Sequence, residues 1–336
     1  MIHRRNVVVG LGAAMTLVAA PSVVKSQTQK TIRIGQIFPR THPYHRGLVK
    51  FAEETAARTN GAVKMEVYSD AQLGGEVAMV QGMRTGTVDG GIAAAGTFGQ
   101  TTNQRKFYAL DLPFLFKDHA DLDRWAEGPL AEELGAGVPE KSGVRILAFG
   151  AAGFSQILNS KRPITKPEDL KGLKMRVWQS RSAQLSFEIT GMTATPMPYG
   201  EVFTSLQQGV IDGLVNTLTT LYQTKMYEVA KHLTLSNHIV AVMPIMLSER
   251  VFQSFGKPEQ AAVGEAAKAA AKYWRGLYPE EDRENLRLLK EGGCIVTELD
   301  RNAFKAFARP GYDRFVELIN EPGAKELVDK LANFSA

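Results

Sequence analysis

One cysteine, Cys294, stands in a chain of 336 residues, so no internal disulfide can form. Cysteine usage therefore leaves the compartment open. An excess of one charge is also lacking. The formal charge of +5 is not evenly spread: residues 1–27 hold Arg4, Arg5 and Lys25 and no acid, and the remainder carries 37 basic against 35 acidic residues, or +2. So even a balance gives no electrostatic reason to invoke nucleic acid. Beyond the N-terminal region no run reaches the ~20 apolar residues that a membrane-spanning helix needs.

The signatures of catalysis are missing too. There is no HExxH, no CxxC, no G-x-S-x-G elbow and no phosphate-binding P-loop. Of the six histidines, His42 and His45 have a spacing that suits metal ligation on a helix, but Pro43 is expected to hold that segment outside the helix. Gly10-Leu11-Gly12 follows no strand and is no dinucleotide fingerprint. The expectation is a protein that is not an enzyme and holds no metal or other cofactor.

What is present begins at the N-terminus. Met1 to Arg5 is basic, Val7 to Ala20 is apolar with small residues, and Pro21 and a polar Ser26-Gln27-Thr28 follow. This layout predicts a cleaved export signal over residues 1–27 and a periplasmic location, the alternative being a retained anchor helix. Arg4-Arg5 also suits twin-arginine export, while His3 and Asn6 make that motif imperfect, so the Sec and Tat routes both stay open.

The rest alternates strand and helix. Strands are expected over 31–38, 62–69 and 88–95, with helices over 44–59 and 76–85. This α/β alternation favours a largely parallel sheet covered by helices. One pattern recurs: a helix from Glu76 ends at Gly86-Thr87-Val88-Asp89-Gly90, and another from Glu201 ends at Gly209-Val210-Ile211-Asp212-Gly213. Glycine closes each helix and Asp-Gly turns into each strand, which suggests two lobes of related design. Two strand-like stretches, 142–150 and 154–159, meet at the small residues Gly150-Ala151-Ala152-Gly153, and the apolar run 233–247 is a second crossing between lobes. Alanine-rich residues 257–291 predict a helix near 50 Å long at 1.5 Å per residue. Pro279 should kink or split it. The expected division is 28–150 plus 240–275 for the first lobe, 151–239 plus 292–320 for the second, 257–291 for the bridging helix and 321–336 for a C-terminal helix.

From Lys166 onward the residues become specific. Pro167-Glu168-Asp169-Leu170-Lys171-Gly172-Leu173-Lys174-Met175-Arg176-Val177 resembles the P-x-D-L-K-G-L-K-x-R-V signature of TRAP transporter solute-binding proteins, the dicarboxylate-receptor (DctP) family. Pro196-Met197-Pro198-Tyr199-Gly200-Glu201-Val202, Leu206-Gln207-Gln208-Gly209-Val210-Ile211-Asp212-Gly213 and Tyr227-Glu228-Val229-Ala230-Lys231 resemble its later elements, and Gln72-Leu73-Gly74-Gly75-Glu76 an earlier one. The resemblance implies a two-lobed periplasmic solute-binding protein of α/β class, with a central cleft, connecting strands and a long helix bridging the lobes. It implies a monomeric receptor that closes over a small organic acid and delivers it to the small and large membrane subunits.

In the family the Arg176 position makes the ligand's salt bridge, and a guanidinium fork matches a carboxylate. Asn216 stands where the family keeps an amide, although the usual D-G-x-E-N-P reads Asp212-Gly213-Leu214-Val215-Asn216-Thr217. Tyr199 holds an aromatic position that could pack on the ligand. Trp178 and Gln179 follow the Arg176 strand, and many relatives are small at the first of these. A second arginine common in the family is absent; Ser155 or Gln156 takes its place. The first lobe's strand ends, Ile37-Phe38 and Ala93-Ala94-Ala95-Gly96, offer little polarity. The expected ligand is an acid with one essential carboxylate and a less polar body, rather than a heavily hydroxylated sugar acid or a dicarboxylate. The rival readings are a receptor for an ABC importer or a sensor, and an exported α/β enzyme.

Overall fold

The computed structural model describes residues 29–334. The expected export signal, and with it the choice between Sec and Tat, lies outside the described residues. Among the described residues no helix is long and apolar enough to cross a membrane.

Two long strands organise the chain. They are β4 (Val144–Asn159) and β8 (His232–Ser248), paired antiparallel along most of their length. Each end of this ribbon carries its own parallel unit. At one end β3 (Gly90–Ile92) pairs with β8, and β1 (Lys30–Gly35) lies between β3 and β2 (Val63–Tyr68). At the other end β7 (Gly213–Thr217) pairs with β4, and β5 (Lys174–Val177) lies between β7 and β6 (Thr193–Pro196). The short β9 (Ile295–Glu298) adds to β8 beside the second unit. The sheet is therefore mixed, and the expected parallel order holds within each lobe.

The recurrent pattern has a physical counterpart. Gly86 and Gly209 both take the left-handed conformation, φ +81° and +72°, that stops a helix. The following aspartates then do the same work: Asp89 Oδ2 accepts from the backbone N–H of Arg33 in β1, and Asp212 Oδ2 from that of Lys174 in β5, each at 2.9 Å. Each carboxylate ties its turn to the central strand of its lobe.

The ribbon is least regular where the small residues cluster. Register shifts fall between Ala151 and Phe154 and between Ser155 and Ile157. The alanine-rich run is two helices, Lys257–Arg275 and Tyr278–Glu291, separated at Gly276-Leu277. Ala266, Ala267, Ala270 and Ala271 are buried on the first helix, which packs on the helix Pro43–Arg58. The second helix packs on the helix Leu218–Gln223, where Asn285 Nδ2 donates to Thr219 Oγ1 at 3.1 Å.

The third expected strand is shorter than 88–95. Ala95 already opens a helix, Ala95–Thr102, while Gly90 and Gly91 pack against neighbouring backbone at the strand's start. Helices His119–Ala126, Pro129–Gly135 and Val138–Ser142 fill a stretch left without an expected element, and their apolar faces join the core around Phe116, Trp125 and Phe149.

Candidate functional site

Arg176 is the third residue of β5, flanked in the strand by the buried Met175 and Val177. The residue is 6% exposed and lines a cavity between the lobes. Nε and Nη2 both donate to the carbonyl of Met197, at 3.2 and 3.0 Å, and the Tyr199 ring centroid lies 5.2 Å from the charge. Among the described residues no carboxylate comes within 4 Å of it, and Nη1 has no protein partner. Burial presses the pKa of this group down, opposed by Tyr199 and Glu76.

Asn216, on neighbouring β7, lines the same cavity. Its Oδ1 accepts from the backbone N–H of Thr217 at 2.9 Å, which orients the amide and leaves Nδ2 without a partner among the described residues. Tyr199 and Trp178 also line the cavity. The Tyr199 hydroxyl is bonded to Thr224 Oγ1 at 2.8 Å and its ring meets Phe38 of the other lobe at 4.6 Å, so it presents an aromatic face. Trp178, 8% exposed, packs edge-on against Phe187.

Two expected residues are elsewhere. Gln156 does not line the cavity, because its amide is fully engaged in joining β4 to β8: Nε2 donates to Phe154 O and Asn237 Oδ1, and Oε1 accepts from the N–H of Ser236 and Asn237. Ser155, its neighbour on the opposite face, lines the cavity instead. Gln179 is an exposed residue between β5 and the Ser180 cap of the helix Arg181–Ile189 and does not reach the cavity.

The first lobe is more polar than its strand ends suggested. Glu76, in the first turn of the helix Glu76–Thr85, and Tyr44 both line the cavity, beside the apolar Ile37, Phe38 and Ala94. Burial raises the Glu76 pKa; Arg176, the Ala94 backbone N–H and the Thr97 hydroxyl act against it. The sequence signal for Glu76 was its place at the end of Gln72-Leu73-Gly74-Gly75-Glu76. The cavity therefore sets a cation and an amide donor on one lobe against a carboxyl on the other. Val215, Ala241 and Met243 complete it with apolar surface.

The lobes also touch directly at its edge. His42 Nδ1 accepts from the backbone N–H of Tyr44 at 3.2 Å, so Nε2 carries the proton and donates to Thr220 Oγ1 at 3.0 Å. Thr41 Oγ1 donates to Gln223 Oε1 at 3.1 Å. His45 packs apart, with Nδ1 3.5 Å from Gln36 Nε2.

Residues 34–318 match the bacterial extracellular solute-binding proteins, family 7 (DctP). The chain belongs to this family. Among its family 7 relatives is the 2,3-diketo-L-gulonate-binding periplasmic protein of Escherichia coli, 31% identical over 294 residues that cover 87% of this chain and 89% of that protein. The solved structure of a TRAP periplasmic solute-binding protein from Sulfitobacter with bound β-D-galacturonate superposes with a TM-score of 0.84, at 29% identity, covering 90% of this chain and all of that one. One from Bordetella bronchispeptica, with density interpreted as pantoate, has a TM-score of 0.84 at 28% identity and covers 92% of this chain and all of that one. Family 7 proteins of this kind are two-lobed TRAP solute-binding receptors, and this chain has their fold and their class of function.

Proposed function

We propose that this chain is a periplasmic, monomeric TRAP receptor that captures a small hydroxylated monocarboxylate in the interlobe cavity, hands it to the small and large membrane subunits, and catalyses nothing. One observation carries the reading: Arg176 and Asn216 line one cavity between the lobes, and Arg176 Nη1 and Asn216 Nδ2 have no protein acceptor among the described residues. A buried guanidinium without an acid is unfavourable unless a ligand supplies the acceptor. A carboxylate does so and accepts from the amide as well.

Glu76 decides the rest of the ligand. A ligand hydroxyl could donate to this acid, whereas a second carboxylate opposite Arg176 would require Glu76 to be protonated. The expected single carboxylate is kept, and the less polar body gains a hydroxyl requirement. The relatives' ligands fit this chemistry: galacturonate and 2,3-diketogulonate are monocarboxylates with hydroxyls, and pantoate adds an apolar centre. The lining offers Ser155 as a hydroxyl with no histidine beside it, which favours a binding site over a nucleophilic one.

Calorimetry across a panel of hydroxy acids and dicarboxylates tests the proposal. A charge-assisted hydrogen bond contributes about 1.5–3 kcal/mol, so Arg176→Ala should weaken binding at least about tenfold. Succinate or malate binding far above every hydroxy monocarboxylate, or an Arg176→Ala variant with undiminished affinity, would overturn it.

A further inference from the structure

The lobes bond to each other at two edges of the cavity, and each contact grows out of chain that lines it. Phe38 and Tyr44, both on the wall, bracket Thr41 and His42. Here the first lobe donates twice to the second: His42 Nε2 to Thr220 Oγ1 at 3.0 Å, and Thr41 Oγ1 to Gln223 Oε1 at 3.1 Å. Both acceptors sit on the helix Leu218–Gln223, which directly follows β7 and Asn216.

The second contact lies just beyond Ala94 and Trp178, also on the wall. Ala94 leads into the helix Ala95–Thr102 of the first lobe, and Trp178 stands two residues before the Ser180 cap of the helix Arg181–Ile189 of the second. Asp111 ends the first lobe's helical turn Arg105–Asp111. Its Oδ2 accepts from Ser182 Oγ at 2.6 Å and from Ser180 Oγ at 3.4 Å. Gln100 Oε1 accepts from the backbone N–H of Arg181 at 2.8 Å. The first lobe thus brings a carboxyl and an amide oxygen to the first turn of a second-lobe helix, where backbone N–H groups are unpaired and negative charge is favoured. Asp111, Ser180 and Ser182 are buried, and Gly96 permits the approach, because a Cβ there would collide with Asp111 Oδ2 and Ser180 Oγ.

Bonds between lobes differ in effect from bonds within one. Parting the lobes breaks them, so they act on the equilibrium between the open and closed receptor. Thr41, His42, Gln100 and Asp111 all stand off the cavity wall, so they bias closure without reading the acid.

We propose that these contacts are a pair of clasps that sets how long a captured acid stays bound, whatever the acid: Asp111 and Gln100 on the helix Arg181–Ile189, and Thr41 and His42 on the helix Leu218–Gln223. The inference rests on the carboxylate-receptor reading above and adds positioning residues that act through lobe closure.

The test uses the full chain with D-galacturonate, pantoate and D-erythronate as probes. Calorimetry gives the affinities, and stopped-flow fluorescence, with Trp178 on the cavity wall, gives the rates. Asp111→Ala should speed release about tenfold, and Gln100→Ala and Thr220→Val about two- to fivefold each. Association should change little, and each variant should weaken all three acids by the same factor, a pattern that a merely structural loss would not produce. Gln100→Ala with Thr220→Val should multiply the single effects, because the clasps are separate; Asp111→Ala with Ser182→Ala should fall short of the product, because the two share a bond. Gln100 is exposed, so its variant serves if Asp111→Ala fails to fold. Wild-type release rates in Gln100→Ala and Thr220→Val, or losses that differ tenfold from acid to acid, would overturn the proposal. Arg176→Ala separates the two readings: if it loses affinity while the clasp variants release as wild type does, the clasps fall and the receptor stands. Wild type that binds none of the three acids would remove both.

Discussion

Arg176 keeps its charge in a buried cavity on the strength of a carbonyl and an aromatic ring. With Nε and Nη2 on Met197 O, only a planar fork can hold that carbonyl and still reach a ligand through Nη1. Lysine has one ammonium and cannot do both from this strand, so Arg176→Lys should weaken acid binding by about tenfold despite keeping the charge. Asn216→Ala removes a neutral donor and should cost less, about two- to tenfold. Calorimetry with the acid that wild type binds best checks both, and an unimpaired Arg176→Lys would mean that the fork geometry is irrelevant. The sequence carried Arg176, Asn216, Tyr199 and Trp178 through their motifs. It could not choose between Ser155 and Gln156, because facing in a strand is read by counting alternate residues. The register shifts on either side of Ser155 break that count. Glu76 ended a motif, but its place in the cavity was not readable from it: that depends on a helix of one lobe pointing its first turn at a strand end of the other.

At the scale of elements, the two bridging helices are seated in notches of β4. Trp274, near the end of the first helix, lies over Gly150 and Gly47, and Tyr278, at the start of the second, lies over Gly153. A Cβ at Gly150 would collide with the rigid indole of Trp274. Gly150→Ala should therefore destabilise the protein by about 1–3 kcal/mol, seen as a lower urea midpoint, and Gly150→Ala with Trp274→Leu should recover part of the loss. A midpoint unchanged in the single variant would show that the notch has slack. The sequence predicted the helical run and a disturbance at Pro279. The observed break lies two residues earlier, since proline fits the first turn of a helix, where its missing N–H costs nothing. The recurrent Gly and Asp-Gly elements were readable because their chemistry is local. The mixed sheet was not, because the antiparallel pairing of β4 with β8 joins segments far apart in the chain.

Across the whole molecule, buried titratable groups pull stability in opposite directions with pH. Burial, aided by Arg46, lowers His42 to about 3, and burial with Arg301 lowers His238 to about 3, from an ordinary 6.5. Burial raises Asp111 and the partly exposed Asp282 to about 7 from 3.8. Around His42 stand Arg46 with its partner Glu281, the ring of Phe38 and the phenol of Tyr44, while the helix Leu218–Gln223 brings threonines and no charge. Between pH 3 and 6.5 the unfolded chain binds protons that the native histidines refuse, so the histidines make stability rise with pH. Between pH 3.8 and 7 the native aspartates hold protons that the unfolded chain has released, so they make it fall. The two windows overlap, so the contributions of these two pairs oppose each other between pH 4.5 and 6.5. Removing one side exposes the other. Asp111→Asn should lose stability on acidification by up to about 1.4 kcal/mol per pH unit more than wild type, and His42→Gln should shift the slope by a similar amount the other way. Urea unfolding at three pH values within that window measures both slopes. Parallel lines for the two variants would mean that neither side chain titrates as its burial requires. Opposed slopes would place compensating protons at two contacts between the lobes, one at the His42–Thr220 bond and one where Asp111 accepts from Ser182.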